Sequence, residues 1–440
     1  MHLTRRFFLQ TSGALAAYCG VAPIEALAKS AQAASALAIP QPVTPGKSLV
    51  VIFLRGGIDG LNLIVPHADP HYAGLRQALR INAPGEDQGC IDLDGFFGLH
   101  PRAQALMPWV EQGQFVAAHA VGYDHNTRSH FEEQDTWETG VIGNTVNSDG
   151  WLNRHLLTST GHGHVRAISL GNNLPRILRG DAPAYAVRGI DDLTLPQARG
   201  NAQAIHAALE HAYCQPLPDH RTQVAEEATT LAHDAGAVTL DGIDTIQKVA
   251  DQPYTPAADY PSSGLANQLK QAARLIKADV GLEVVTVDYG GWDTHRGQGA
   301  GISGNYGNKV NNLADALHAF ATDLGDRLDD TLVLTLSDFG RTAKENGTQG
   351  TDHGWGNCML AMGGGVAKTG ERVDGSSSGR RKVVGRWPGL GEDQLHQKRD
   401  LLHTTDFRDV LGEAVASHLG NQHLKTILPN HEFAKVGLIA

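Results

Sequence analysis

Six residues of this 440-residue chain combine acidic and imidazole groups in a pattern that suits cation binding: Asp59, Asp293, His295, Asp338, Asp352 and His353. Asp59, Asp293, His295 and Asp338 each fall just after a short apolar run, and Asp352 and His353 lie in a Gly-rich loop before another. In an open parallel sheet, ligands bind beyond the carboxyl ends of the strands, so neighbouring strands would bring these side chains together. Carboxylates gathered that way repel, by about 4 kcal/mol per pair of unit charges about 4 Å apart at an effective dielectric of about 20. Divalent cations remove that cost. Mixed Asp/His ligation suits zinc, manganese or iron better than calcium, which prefers oxygen alone. One or two ions, zinc or manganese foremost, are therefore expected, and a pair about 4 Å apart could clamp the attacking and leaving oxygens of a transferring group. Each residue also has a plainer role open to it: Asp59 could order its glycine-rich turn, and Asp338 could cap a helix.

The elements that must position these groups are five apolar runs, Ser48 to Leu54, Phe115 to Val121, Val284 to Asp288, Leu332 to Leu336 and Cys358 to Met362. Short continuous apolar runs that stop at glycine read as strands buried on both faces of a parallel sheet. Between the third and fourth, Leu313, Leu317, Phe320, Leu324 and Leu328 recur at helical spacing, which completes a strand, helix, strand unit. The expected fold class is α/β, a three-layer α/β/α sandwich around a mostly parallel sheet. Residues 195–280 differ: Ala202 to Tyr213, Gln223 to Asp234 and Leu265 to Ala278 look like amphipathic helices, a helical insertion over one end of the sheet. The run Gly375 to Gly379, followed by Arg380, Arg381 and Lys382, reads as a solvated loop tip rather than a phosphate cradle.

At the amino end, Thr4-Arg5-Arg6-Phe7-Phe8-Leu9-Gln10 opens an apolar stretch to Ala28 with small-residue exits at Ala26-Leu27-Ala28 and Ala31-Gln32-Ala33. Paired arginines before a moderately apolar segment predict a twin-arginine signal peptide with its linker over 1–36, leaving one α/β domain over 37–440. The expected location is periplasmic or extracellular, with the twin-arginine export machinery as a partner and no stable membrane span in the mature chain. Tyr18 before Cys19 is too large for lipoprotein processing. The formal charge of -11 grows by one more negative unit when Arg5, Arg6 and Glu25 leave, which argues against nucleic acid as a partner. Cys90, Cys214 and Cys358 remain, too few and too odd for a disulfide framework.

Four motifs together, Leu54 to Asn62, Arg128 to Gly140, Gly291-Trp-Asp-Thr-His295, and Ser337 to Thr342 with Asp352-His-Gly354, resemble the family called domain of unknown function 1501. That family is in turn similar to the alkaline phosphatase and sulfatase superfamily, and the resemblance implies an alkaline-phosphatase-like fold with two metals at the carboxyl ends of the strands. It implies ligand roles for Asp59, Asp293, His295, Asp338 and His353. Phe339 stands where a histidine ligand is usual, and Asp352, His125 or His130 are the candidates to replace it. The superfamily's nucleophile sits at a helix N-terminus, where backbone N–H groups steady an anion. Ser129 fits that place, with Thr127 as alternate, although Ser129-His-Phe-Glu132 is also a capping box. Cys214-Gln-Pro-Leu-Pro218 lacks the arginine of a formylglycine sulfatase motif. The resemblance thus implies a metal-dependent hydrolase of phosphate or sulfate-type esters acting on a small anionic ester, in which Ser129 or a water attacks and Arg341 or Arg128 holds a substrate oxygen. The other expectation is a non-catalytic exported binding protein that keeps the fold.

Overall fold

Each of the five apolar runs is a strand, and four of them bury every residue. The computed structural model describes residues 41–42, 46–143, 148–161, 163–192, 223–299, 303–366 and 382–440. The leader with Cys19, the helix expected over Ala202 to Tyr213, Cys214 and the Gly375 to Gly379 loop lie outside them. Among the described residues a nine-stranded sheet contains β1 (Ser48–Leu54), β2 (Phe115–Gly122), β3 (Ala167–Leu170), β4 (Tyr185–Val187), β5 (Val284–Asp288), β6 (Thr331–Ser337), β7 (Asn357–Gly363), β8 (Val383–Val384) and β9 (Thr405–Asp406). The spatial order is β8, β2, β7, β6, β1, β5, β3, β4, with β9 also paired to β2. β1 and β6 run parallel in register from Ser48 opposite Thr331 to Leu54 opposite Ser337, so their loops leave the sheet at the same level.

Alternation along β1 sorts its side chains to two cores, as a period of two requires. Val50, Ile52 and Leu54 face one core, while Leu49, Val51 and Phe53 face the other. The first is covered by α4 (Gly264–Lys277) and α5 (Gly304–Leu324) through Leu269, Ile276, Leu313 and Phe320. The second is covered by α1 (His130–Thr139), α2 (Trp151–Leu157) and α6 (Phe407–Glu413) through Trp137, Trp151 and Phe407. Helices on both faces explain why these strands read as continuous apolar runs rather than alternating ones. Within 195–280 the described residues form α3 (Gln223–Ala250) and α4, and α4 packs directly in the first core. No described helix is long and apolar enough to cross a membrane.

One strand departs from the parallel expectation. β7 is antiparallel to both β6 and β2. The reversal matters for the site, because a loop that enters an antiparallel strand lies at the same end of the sheet as loops that leave parallel ones. His353, four residues before β7, therefore stands beside the loops that follow β1, β5 and β6.

β2 is interrupted by a register shift against β7, and Ala120 adopts φ +54° there. Buried His119 fills the irregularity: its Nδ1 accepts from the Ala120 N–H at 2.9 Å, and its Nε2 lies 3.0 Å from the Ile64 carbonyl oxygen. Only the neutral ring satisfies both, since one nitrogen must accept while the other donates. Burial pushes the His119 pKa down to about 4. A histidine depressed from its ordinary value near 6.5 contributes stability that is whole above about pH 6.5 and is lost as pH falls toward 4, about 3 kcal/mol in all. Chemical denaturation of wild type and His119→Gln at pH 7 and pH 4 measures this: the variant should lose about that much less stability on acidification, and an identical loss would contradict it.

Candidate metal centre

Three imidazoles meet at one carboxylate where the loops after β5 and before β7 face the start of α1. His295 Nε2 and His353 Nε2 lie 3.0 and 3.1 Å from Asp293 Oδ1, and 3.0 Å from each other. His130 Nε2 lies 3.6 Å from Asp293 Oδ2, buried and without a hydrogen-bond partner. His130, Asp293 and His353 offer ligand atoms that all lie within 4.8 Å of one another.

The other ring nitrogen of each histidine is already engaged by an oxygen. His130 Nδ1 makes a short contact with Asp338 Oδ2. His295 Nδ1 bonds Asp352 Oδ1 at 2.8 Å, and His353 Nδ1 donates to the Arg128 carbonyl at 2.8 Å. An oxygen acceptor at Nδ1 fixes the proton there and leaves a lone pair on Nε2, the arrangement by which proteins orient metal-binding histidines. Two such lone pairs 3.0 Å apart repel unless a proton or a cation stands between them. Ligand atoms in a tetrahedral site with bonds of about 2.0–2.1 Å are about 3.3 Å from one another, close to the separations seen here. The donor set of three nitrogens and a carboxylate therefore fits a divalent zinc-type ion.

Local structure explains why the chain can hold these groups. Gly56, at φ +117°, carries its backbone against the Trp292–Asp293 peptide, where a Cβ would lie 2.6 Å from the Asp293 nitrogen. Its N–H is 3.2 Å from each Asp338 oxygen, and Gln134 Nε2 donates to Asp338 Oδ2 at 3.0 Å. Gln134 is one helical turn beyond His130 on α1, so both reach the same carboxylate. Asp338 is fully buried, and its role is to orient His130. Asp352 does the same for His295, with Asn346 as a second partner at 3.2 Å. Its hydrogen bond with His295 holds the Asp352 carboxyl below the usual range. Burial disfavours the Asp293 carboxylate, but Arg341 and the neighbouring imidazoles outweigh it and lower its pKa. His130, bonded to Asp338, is raised. Phe339, fully buried, packs its ring 4.8 Å from His130 and 4.6 Å from His353.

Several sequence expectations fall elsewhere. Asp59 does not join the cluster: both its oxygens are taken by Arg76, at 2.5 and 3.0 Å, and Gln298 adds a bond of 2.6 Å. Neither partner of that pair is exposed, and burial of the carboxylate is outweighed by Arg76, so the Asp59 pKa is lowered. Arg341 is buried too, with Nη1 2.7 Å from Asp293 Oδ1 and Nε 3.1 Å from Thr351 Oγ1, so it positions Asp293 instead of holding a substrate. Arg128 is paired with Asp400 at 2.7 Å. Ser129 is the N-cap of α1, yet its side chain makes no capping bond, so the capping box expected with Glu132 does not form. Glu133 accepts from the Thr127 N–H and hydroxyl instead, at 2.7 and 2.9 Å, which engages the alternate nucleophile and leaves the Ser129 hydroxyl uncommitted. His125 is exposed on the loop before α1. Arg76, Gln298 and Gln134 were all missed by the sequence reading; only Gln134 had a signal that could have found it, its four-residue spacing from His130 on one helix face.

The family model described as "Protein of unknown function (DUF1501)" matches residues 100–423, a span that holds the whole cluster but neither β1 nor Asp59. No curated protein matches the chain.

Two classes of substitution should separate by zinc titration and thermal unfolding. Asp338→Asn and Asp352→Asn should each weaken zinc binding by about 10- to 100-fold through their histidines. Asp59→Asn should leave affinity within a few-fold but cost about 3 kcal/mol of stability by stranding buried Arg76. Loss of zinc binding by Asp59→Asn at temperatures where it stays folded would contradict this division.

Proposed function

We propose that this chain, which belongs to the DUF1501 family, is an exported metal-dependent hydrolase of phosphate or sulfate-type esters with an alkaline-phosphatase-like α/β/α sandwich. The observation that carries the proposal is the convergence of three Nε2 atoms on Asp293, each imidazole fixed from behind by an oxygen at Nδ1. The mixed, mostly parallel sheet with helices on both faces is compatible with such a sandwich. Export rests on Arg5 and Arg6 and the apolar stretch behind them.

A divalent cation bound by these groups, zinc or manganese, would supply Lewis-acid stabilisation of charge on the ester oxygens. The chain's own residues supply the rest. Asp338, Asp352 and the Arg128 carbonyl draw the proton of each neutral imidazole to Nδ1, so that Nε2 can offer its lone pair to a cation, and Arg341 keeps Asp293 ionised and in place. Ser129 precedes His130 at the start of α1, where the unsatisfied N–H groups of the first turn favour an approaching anion. Its free hydroxyl is the nucleophile: the new bond joins Ser129 Oγ to phosphorus or sulfur, the bond to the leaving alcohol breaks, and the serine proton passes through solvent to that alcohol. Water then cleaves the serine ester in a second displacement.

Engagement of Arg341 and Arg128 by Asp293 and Asp400 favours one alternative, an exported binding protein in which the ion is structural. Elemental analysis of the purified mature chain, with turnover of p-nitrophenyl phosphate, bis(p-nitrophenyl) phosphate and p-nitrocatechol sulfate, decides between them. A hydrolase should hold about one or two equivalents of metal, turn over at least one ester, and lose about 10³-fold or more in kcat on Ser129→Ala. Metal without turnover would leave the binding protein, and no metal with no turnover after reconstitution would sink both.

A further inference from the structure

We propose that Glu133 is a positioning residue for the metal centre, latching the loop Tyr123–Ser129 so that the Arg128 carbonyl fixes the ring of His353. The inference rests on the metal-centre reading and concerns how the chain builds it. Glu133 lies in the first turn of α1, fully buried, and makes no hydrogen bond to His130, Asp293, His295 or His353. Its carboxylate instead accepts three bonds from the preceding loop: the Tyr123 hydroxyl at 2.5 Å, the Thr127 N–H at 2.7 Å and the Thr127 hydroxyl at 2.9 Å. Tyr123 is itself buried, its ring 5.4 Å from that of Phe407, so the latch is anchored in the second core.

The loop it holds is one the backbone would not choose. His125 at φ +74° and Arg128 at φ +58° both occupy the left-handed region, which costs a residue with a side chain about 1–3 kcal/mol. Glycine would relieve the strain at Arg128, so an arginine there must earn its place through its side chain. It does so from the other side of the loop. Arg128 Nε and Nη2 lie 3.1 and 2.7 Å from Asp400 Oδ2, and Asp400 is fully buried. Asn126 Oδ1, from a buried side chain, accepts the Arg128 N–H at 2.7 Å. With Thr127 pinned to Glu133 and Arg128 pinned to Asp400, the peptide between them has one orientation open to it, with its following carbonyl 2.8 Å from His353 Nδ1. That bond decides which nitrogen of His353 carries the proton, and hence whether Nε2 offers a lone pair. By recruiting Thr127 rather than Ser129, Glu133 also leaves the Ser129 hydroxyl free.

Cobalt(II) titration of the mature protein, followed by its visible d–d absorption, reads the centre without reference to turnover. Glu133→Ala should weaken cobalt binding by about 10- to 100-fold and alter the band shape. Glu133→Gln, whose amide oxygen can still accept from Thr127, should stay within about threefold of wild type. A folded Glu133→Ala protein with a lowered unfolding midpoint but unchanged cobalt affinity would overturn the proposal, since that is what a purely structural glutamate predicts. Should Glu133→Ala fail to fold, Arg128→Ala carries the test: it leaves the Tyr123 and Thr127 bonds to Glu133 in place and should weaken cobalt to a similar degree, with wild-type affinity again overturning the idea. A wild-type protein that takes up no cobalt would remove the centre itself, and the inference with it, whereas failure of the variants alone leaves the centre standing.

Discussion

A guanidinium and a carboxylate with no access to water, Arg76 and Asp59, fasten together the loops that carry the Asp/His cluster. Asp59 follows β1; Arg76 also donates to the Thr342 and Ala343 carbonyls after β6, and Gln298 from the loop after β5 completes the knot. Tyr306 of α5 adds a bond from its hydroxyl to the Asp59 carbonyl at 2.6 Å. Removing two charges from water is expensive, and such pairs persist when every remaining donor and acceptor is satisfied. Here they are satisfied by backbone from a different strand, so the ion pair fixes the relative positions of three loop segments at once. Thr342 is the neighbour of Arg341, which in turn holds Asp293. The carboxylate at the middle of the cluster is thus positioned by a chain of contacts that begins in the dry interior.

Much of the architecture could be read from the residues because strands buried on both faces leave an unmistakable mark. The runs at Ser48, Phe115, Val284, Leu332 and Cys358 could satisfy their side chains nowhere but between two helical layers. The four strands of the nine-stranded sheet that escaped are two to four residues long, Ala167–Leu170, Tyr185–Val187, Val383–Val384 and Thr405–Asp406, too short to show any period. Strand direction was also hidden. Nothing in the composition of Cys358 to Met362 distinguishes a parallel from an antiparallel partner, since both place the same side chains in the same two cores.

The site was legible as a set of residue types and only partly as a set of roles. Asp293, His295 and His353 stand at its centre, Asp338 and Asp352 one step behind, and Asp59 in the pair described above. Sequence alone cannot rank carboxylates that follow strands, because a ligand and an orienting partner have the same chemistry and differ only by the width of an imidazole ring. His130 was legible as one candidate among three, and its place became clear once α1 was seen to aim it and Gln134 at the same aspartate. Glu133 was invisible for a further reason. A glutamate in the first turn of a helix is ordinarily a solvated residue that favours the dipole, and only the tertiary fold shows that this one faces inward toward Tyr123 and Thr127.

The irregularity in β2 carries a consequence for how the sheet ends. Along its outer side, β8 pairs with Ala117 and Ala118, and β9 pairs with Val121 and Gly122. The gap between these two borrowed partners falls on His119 and Ala120, where the Thr404 N–H reaches the Ala120 carbonyl and the His119 ring takes the Ala120 N–H. A row of backbone groups that could template a foreign chain is therefore closed by two short pieces and a single imidazole, and the kink between them denies an incoming strand a straight run to dock on.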